Sequence, residues 1–469
     1  MINNVQKLNQ KIIIVGAGLT GTLLALRLGQ HGFKVDVYEK RADIYKYKSG
    51  KKRSLGMSLS TRGRIALKEA GIFHKQEPTM ALKKGRATHT QDGKVKYQIY
   101  GDGSQFLSTV NRKNVNSLLI DEAIATGNVH FYFNRKVKSI YTKCKKITFL
   151  DTTTDHEEHS EYSYLFGADG ANSTIRELLF EQKIIHRKRR KLFHIYKEMN
   201  IPAGPNGEYV LEPNYVHIWS SEEAVFVALP TLEKSFISTI FYRNEGQLST
   251  ITDPAELHSY FKKHFPHLYK VLPTIEKDFF ENPGSEIFQI ECSKWNYKDN
   301  VLLIGDSAHA FAPFYAMGMN TCFEDCSLYM EFLKKNNFDF GEAIIQFSQL
   351  RKKDVDAMQS LTNHNYHNLH FSKQASFDLR WQLERKIWKA YPDLYVPEYC
   401  MVAFSQIPFS EVVERTVRNK KIIDKICLLY LKQITQKQDF EIDLFIESDF
   451  VKNLLLSQYA HRDLQKVPS

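Results

Sequence analysis

The sequence predicts an α/β protein: a parallel-sheet domain interwoven with a mainly antiparallel β-sheet domain, followed by a C-terminal helical region. Three observations predict it. Lys11–Val15 and Lys34–Tyr38 are short apolar runs on either side of a glycine turn and a leucine-rich helical stretch that ends near Gly32, which is a βαβ unit. Between Glu181 and Ile290, strand-like segments such as Tyr215–Trp219, Ala224–Leu229 and Phe236–Phe241 dominate, as in an antiparallel sheet. From Asn320 onward the pattern is helical.

The other elements follow in chain order. Val129–Phe133, Val137–Tyr141 and Lys146–Leu150 alternate and predict an antiparallel ribbon. Tyr164–Gly167 and Val301–Ile304 are continuous apolar runs, the mark of buried parallel strands, and each returns the chain to the first sheet. The nucleotide-type domain therefore spans 1–180, with ribbon and pocket segments inserted, and resumes over 296–345. The antiparallel-sheet domain takes 181–295, and a helical domain over 346–469 covers the pocket.

The formal charge is +11. The densest basic run, Arg187–Lys191, has no interleaved aromatics and reads as a solvated loop, so no nucleic-acid partner is expected. A positive field does favour anionic small molecules. Of the six cysteines, Cys322 and Cys326 share a helix face, but no His or Cys stands at zinc spacing, and no metal site is expected. The polar N-terminus lacks a signal-peptide layout, and no run reaches the ~18 apolar residues of a membrane span. A cytoplasmic protein without an integral membrane segment is expected, as a monomer or homodimer. Lys420–Gln433 places Ile422, Ile423, Ile426, Leu429 and Tyr430 among lysines. That predicts an amphipathic helix packed over the pocket, with an interfacial membrane helix as the alternative.

Gly16, Gly18 and Gly21 form G-x-G-x-x-G between the first strand and its helix, which Leu19 opens. Such glycines allow a tight turn and a close approach to a pyrophosphate, which the helix N-terminus attracts. Glu39 closes the second strand, where its carboxylate accepts hydrogen bonds from a ribose. The unit is Rossmann-like and binds a dinucleotide; by itself it does not separate FAD from NAD.

Two later segments make that separation. Gly167-Ala168-Asp169-Gly170-Ala171-Asn172-Ser173 and Gly305-Asp306-Ser307-Ala308-His309, the latter followed by Pro313 and Gly318-Met319-Asn320, resemble the motifs of the group A FAD-dependent aromatic hydroxylases. The resemblance implies that Asp306 holds the ribityl chain, that Asp169 and Gly170 lie near the pyrophosphate and the NADPH approach, and that Arg112 contacts the flavin. Arg41, Ser58, Val137 and Gly305 complete the expected cofactor set. Gly318-Met319-Asn320 opens a helix whose N-terminal amides face the pyrimidine edge, where the dipole stabilises the negative charge of reduced flavin. Glu324 and Asp325 read as helix-start acids and His309 as structural.

The resemblance is closest to the kynurenine 3-monooxygenase family. It is carried by Arg53-Ser54-Leu55-Gly56-Met57-Ser58-Leu59-Ser60 with Arg62-Gly63-Arg64, by Glu212-Pro213-Asn214-Tyr215-Val216-His217-Ile218-Trp219, and by Pro313-Phe314-Tyr315, with similar blocks from about residue 11 to 430. It implies that Arg86, Tyr100 and Tyr399 bind the carboxylate of an aromatic amino-acid substrate, with Asn365 at the same end. Phe314, Phe241, Leu369 and Met317 would line the ring. It further implies hydroxylation of L-kynurenine to 3-hydroxykynurenine with NADPH and O2 through a flavin C4a-hydroperoxide, a step of tryptophan degradation. No catalytic side chain is expected, because the chemistry is borne by the flavin. The chain departs from the family at Ala316-Met317, where Gly-Gln is usual. That departure leaves room for a modified kynurenine or another anthranilate-like substrate. The rival readings are a non-catalytic flavin-binding regulator and an NAD-dependent dehydrogenase.

Overall fold

The computed structural model describes residues 10–43, 56–371, 375–436 and 441–457, with side chains described over 10–43, 56–362, 379–434 and 441–457. The chain divides into two compact units, Met1–Val355 and Asp356–Ser469.

In the first unit, Ile12–Val15 pairs in parallel with Tyr164–Gly167 on one side and Val35–Tyr38 on the other. Val301–Leu303 and Val129–Tyr132 extend this sheet outward, and Asn296–Tyr297 adds an antiparallel edge, for six strands in all. The central strands are apolar at every position because helices cover both faces. Helix Leu19–Gln30 buries nearly every side chain, and helix Gly318–Lys335 sends Phe323, Tyr329, Met330 and Leu333 into the same core.

The ribbon differs from expectation at its first strand. Val129–Tyr132 joins the parallel sheet, and the antiparallel ribbon is Arg135–Tyr141, Lys146–Asp151 and Glu157–Glu161. An edge strand buried on one face alternates just as a ribbon strand does, so periodicity alone did not separate the two.

A seven-stranded sheet follows the order Ser285–Cys292, Arg187–Ile201, Phe236–Arg243, Ala224–Pro230, Tyr215–Ser220, Gly85–His89, Val95–Ile99. It is antiparallel except where Gly85–His89 lies parallel to Tyr215–Ser220. Met199, Trp219, Phe226, Phe236 and Ile240 lie in a core with Leu257, Phe261, Leu268 and Phe279 from the helices between residues 254 and 281. The basic run Arg187–Lys191 is no loop. It forms the start of a long strand, where Arg187 bonds Glu177 at 2.7 Å and Arg189 lies 3.8 Å over the Phe288 ring. A three-stranded sheet of Gly56–Leu59, Leu107–Asn111 and Ala81–Lys83 completes the unit.

The second unit is helical. Leu383, Ile387 and Tyr395 pack with Ile422, Ile423 and Ile426 of helix Phe409–Gln436 and with Ile446, Val451 and Leu455 of the last two helices. The isoleucines of Lys420–Gln433 are thus core residues, as packing of the amphipathic face requires. Among the described residues, no helix is long and apolar enough to cross a membrane.

Candidate active site

Three turns, far apart in sequence, meet at the C-terminal ends of the parallel strands. Gly16 has φ +106°, and a side chain there would strike the Ala168 carbonyl at 2.5 Å. Gly21 allows the helix to approach the Gly16 carbonyl. At Gly18 the position of a Cβ faces open space, beside the free amides of the helix it caps. Ser307 Oγ bonds the carbonyls of Gly167 and Ile304, and Arg176 Nη1 donates to the Ser307 carbonyl at 3.1 Å. A side chain on Gly305, φ +66°, would meet Thr20 Oγ1 at 2.7 Å. The three glycine–acid turns thus form one cradle, open at Gly18 and at Gly318, and its residues fit a dinucleotide.

The acids of these turns have distinct surroundings. Glu39 accepts from Ala17 N at 3.0 Å and from Arg41 N at 2.9 Å, and Arg41 Nε lies 3.0 Å away. Asp169 accepts from Ser173 Oγ, Thr174 N and Ile175 N and so caps helix Thr174–Glu181. Burial pushes its carboxyl up in pKa, against the pull of those hydrogen bonds. Asp306 accepts from Cys322 Sγ at 3.5 Å.

Helix Gly318–Lys335 is clasped to the strand Gly56–Leu59. Asn320 Nδ2 donates to the Ser58 carbonyl and Oδ1 accepts from Ser60 N, both at 2.8 Å. Gly63 lies so close that a side chain there would meet Asn320. Ala316, just before the helix, holds the left-handed conformation with φ +56°, and Met317 is buried. Met319 packs against the main core.

Glu324 and Asp325 do more than open a helix. They lie in a buried ion network: Arg62 bonds Glu324, Arg351 bonds Glu324 at 2.7 Å and Asp325 at 2.9 Å, and His309 Nε2 stands 2.6 Å from Asp325. Burial pushes the Asp325 carboxyl up, but His309 and Arg351 more than offset it, and the net shift is downward. His309 also packs at a tilt against Trp295, at 5.0 Å between ring centres, which places it in the framework behind the cradle.

The seven-stranded sheet supplies a second wall. Arg86 pairs with Val216, Ile218 with Val227, and Val225 with Phe241. Paired residues share a face, as do alternate residues along a strand, so Arg86, Ile237 and Phe241 stand on one face, opposite the helix-covered core. That face meets the strand Gly56–Leu59, since a Cβ on Gly56 would lie 3.1 Å from Ile237. Phe314 lies 6.0 Å from Phe241, ring to ring. The Tyr100 ring centre lies 5.8 Å from the Arg86 guanidinium carbon.

Other expected residues lie as follows. Arg112 is exposed at the start of helix Arg112–Ala125. Val137 is buried in the ribbon, whose first residue, Arg135, donates its amide to the Glu39 carbonyl at 2.8 Å. Tyr399 belongs to helix Glu398–Phe404 of the second unit. The side chains of Asn365 and Leu369 lie outside the described residues. Sequence reasoning passed over Asn116, whose side chain bonds the Ala17 carbonyl at 3.1 Å and Thr22 at 3.2 Å. It also passed over Lys83, which is fully buried and donates to Ser58 Oγ at 2.7 Å. Nothing in a Lys-Lys pair signals that one ammonium is interior.

Comparison with known proteins agrees with the cradle. Residues 9–334 match the FAD binding domain family. A kynurenine 3-monooxygenase of Legionella pneumophila (strain Corby) is 33% identical over 89% of this chain and 93% of its own length. The chain belongs to the kynurenine 3-monooxygenase family. The corresponding enzyme of Cytophaga hutchinsonii is 34% identical over 89% of this chain and 94% of its own length, and that of Anopheles gambiae is 31% identical over 90% and 88%. Among solved structures, 2-methyl-3-hydroxypyridine-5-carboxylic acid oxygenase shares the fold, with TM-score 0.65 and 17% identity over 79% of this chain and 95% of that one. The protein is a flavoprotein monooxygenase of this family, with FAD as cofactor and NADPH as co-substrate.

Proposed function

We propose that this protein hydroxylates L-kynurenine to 3-hydroxykynurenine. The observation that carries the reading is the shared sheet face of Arg86 and Phe241, which meets the strand clasped by Asn320, in a chain of this family. The Arg86 fork grips the substrate carboxylate, with Tyr100 beside it, and Tyr399 and Asn365 serve the same amino-acid end. Phe241, Phe314, Met317 and Leu369 hold the aromatic ring. Gly16, Gly18, Leu19, Gly21, Glu39 and Arg41 hold the adenosine and pyrophosphate end of FAD. Asp169, Gly305 and Asp306 hold its middle, and Ser58, Arg112, Val137, Gly318, Met319 and Asn320 complete the cofactor site. When bound, FAD would supply the redox chemistry that couples oxidation of NADPH to insertion of one oxygen atom of O2 into the ring, the other leaving as water. The chain's own work is to orient that ring and to exclude water. The amine ortho to the acyl group activates the neighbouring ring position.

In this reading, residues 1–180 and 296–345 form the FAD-binding domain, 181–295 the substrate sheet and 346–469 a helical domain. Cys144, Cys322, Cys326 and Cys427 are free thiols, which suits a reducing, cytoplasmic setting.

The test is NADPH oxidation with and without L-kynurenine, with the product weighed. Stimulated oxidation and the gain of one oxygen atom are expected. Slow oxidation that no aromatic compound stimulates would instead assign a flavin-binding regulator. Buried Met317 beside left-handed Ala316 favours one second reading, a modified kynurenine or another anthranilate-like substrate, and the same assay with such rings separates the two. Arg86→Ala should weaken substrate binding at least about tenfold, the value of one charge-assisted hydrogen bond, while FAD stays bound. Unchanged affinity would reject the carboxylate role.

A further inference from the structure

Lys83 ends the strand Ala81–Lys83, and its side chain is inaccessible to solvent. Its ammonium donates to Ser58 Oγ at 2.7 Å, and among the described residues no carboxylate pairs with it. The strands packed around it, Gly56–Leu59, Leu107–Asn111, Tyr215–Ser220 and Ala224–Pro230, contain neither Asp nor Glu. Their titratable side chains are Tyr215 and His217, and His217 is committed to His89 and to the Glu212 carbonyl. The neighbouring charge that bears on Lys83 is a second cation, Arg64 of helix Thr61–Glu69, which bonds the Phe106 carbonyl and Ser108 Oγ. Burial, reinforced by Arg64, pulls the Lys83 ammonium down to a pKa of about 7. A buried cation without a counter-charge is costly, and such a group either gives up its proton or is balanced by the charge of a bound ligand.

The surroundings of Ser58 point to where. Its carbonyl is held by Asn320, in the first turn of helix Gly318–Lys335, next to the open position at Gly318. The hydroxyls of Ser60, Thr109 and Thr321, on or beside the same elements, are buried without partners among the described residues. The Lys83 ammonium is thus linked through Ser58 to the first turn of helix Gly318–Lys335.

We propose that Lys83 is a charge-positioning residue for the flavin: its ammonium, tethered to Ser58, joins the N-terminus of helix Gly318–Lys335 in stabilising the negative charge of reduced FAD. Its effect is to raise the midpoint potential of the bound cofactor. The effect is largest below neutral pH, where the lysine is protonated, and fades as pH rises and the proton is lost.

The test uses FAD-loaded protein without substrate, so it stands apart from the question of what is hydroxylated. Two variants are compared with the parent: Lys83→Met removes charge and hydrogen bond, and Lys83→Gln keeps a donor for Ser58 but no charge. The two-electron midpoint potential is measured by equilibration with a reference dye at about pH 6 and about pH 8.5, on either side of neutrality. At the lower pH both variants should show a potential lower by about 30 mV or more, a tenfold or greater fall in the reduced-to-oxidised ratio, and the gap should narrow at the higher pH. Unchanged potentials, or recovery of the parent value by Lys83→Gln, would overturn the proposal. So would loss of FAD from both variants, which would assign the lysine to the fold.

Discussion

Ala316 shows how one side chain records a departure from the family pattern. Its backbone is left-handed, with φ +56° and ψ +32°, in the position where the family resemblance leads one to expect glycine. A Cβ in that conformation costs roughly 1–2 kcal/mol, and glycine returns part of this as freedom of the unfolded chain. Ala316→Gly should therefore raise stability by up to about 1 kcal/mol, read as a higher denaturant midpoint with unchanged slope. A lower midpoint would mean that the methyl group contributes packing that outweighs the strain. The glycines of the first motif were legible from sequence because their spacing reports a local turn. The interior position of Lys83 was not, because burial is set by strands distant in the chain.

At the scale of elements, the seven-stranded sheet carries a histidine pair that makes it sensitive to acid. His217 Nε2 lies 2.8 Å from the Glu212 carbonyl, so that nitrogen bears the proton, and Nδ1 accepts from His89 Nε2, also at 2.8 Å. His89 stacks on Trp219 at 4.0 Å. Burial and the neighbouring histidines hold His89 down to about 3, and burial holds His217 below its usual value. Both rings are neutral in the folded chain and take up protons more readily once unfolded. Their contribution is complete above about 6.5, the unfolded value, and is lost as pH falls from there toward about 3. Stability followed by urea unfolding should decline through that window, and His89→Gln should flatten the decline. An equal decline in the variant would place the acid sensitivity elsewhere. The ribbon is the counterpart lesson. Alternation in Val129–Tyr132 was read correctly as a strand, but its partner was chosen by the parallel sheet.

For the whole molecule, the net charge of +11 bears on NADPH, a polyanion that arrives from solution for each turnover. Screening shortens the field to about 8 Å at physiological salt, so KM for NADPH should rise several-fold between about 20 mM and about 500 mM salt. The fraction of FAD retained should change far less, since short-range hydrogen bonds in a buried cradle are screened little by salt. A KM indifferent to salt would show that the basic surface lies away from the NADPH path.

The sequence by itself determined the βαβ unit, the order of the glycine–acid motifs and the family, because each is written in local spacing. Only the tertiary structure decided that Gly16 touches Ala168, that Ser307 reaches Gly167, that Arg86 and Phe241 share a face, and that Lys83 is interior. The physical reason is range. Turn geometry and side-chain period act over a few residues, whereas burial and convergence depend on how sheets far apart in the chain pack against one another.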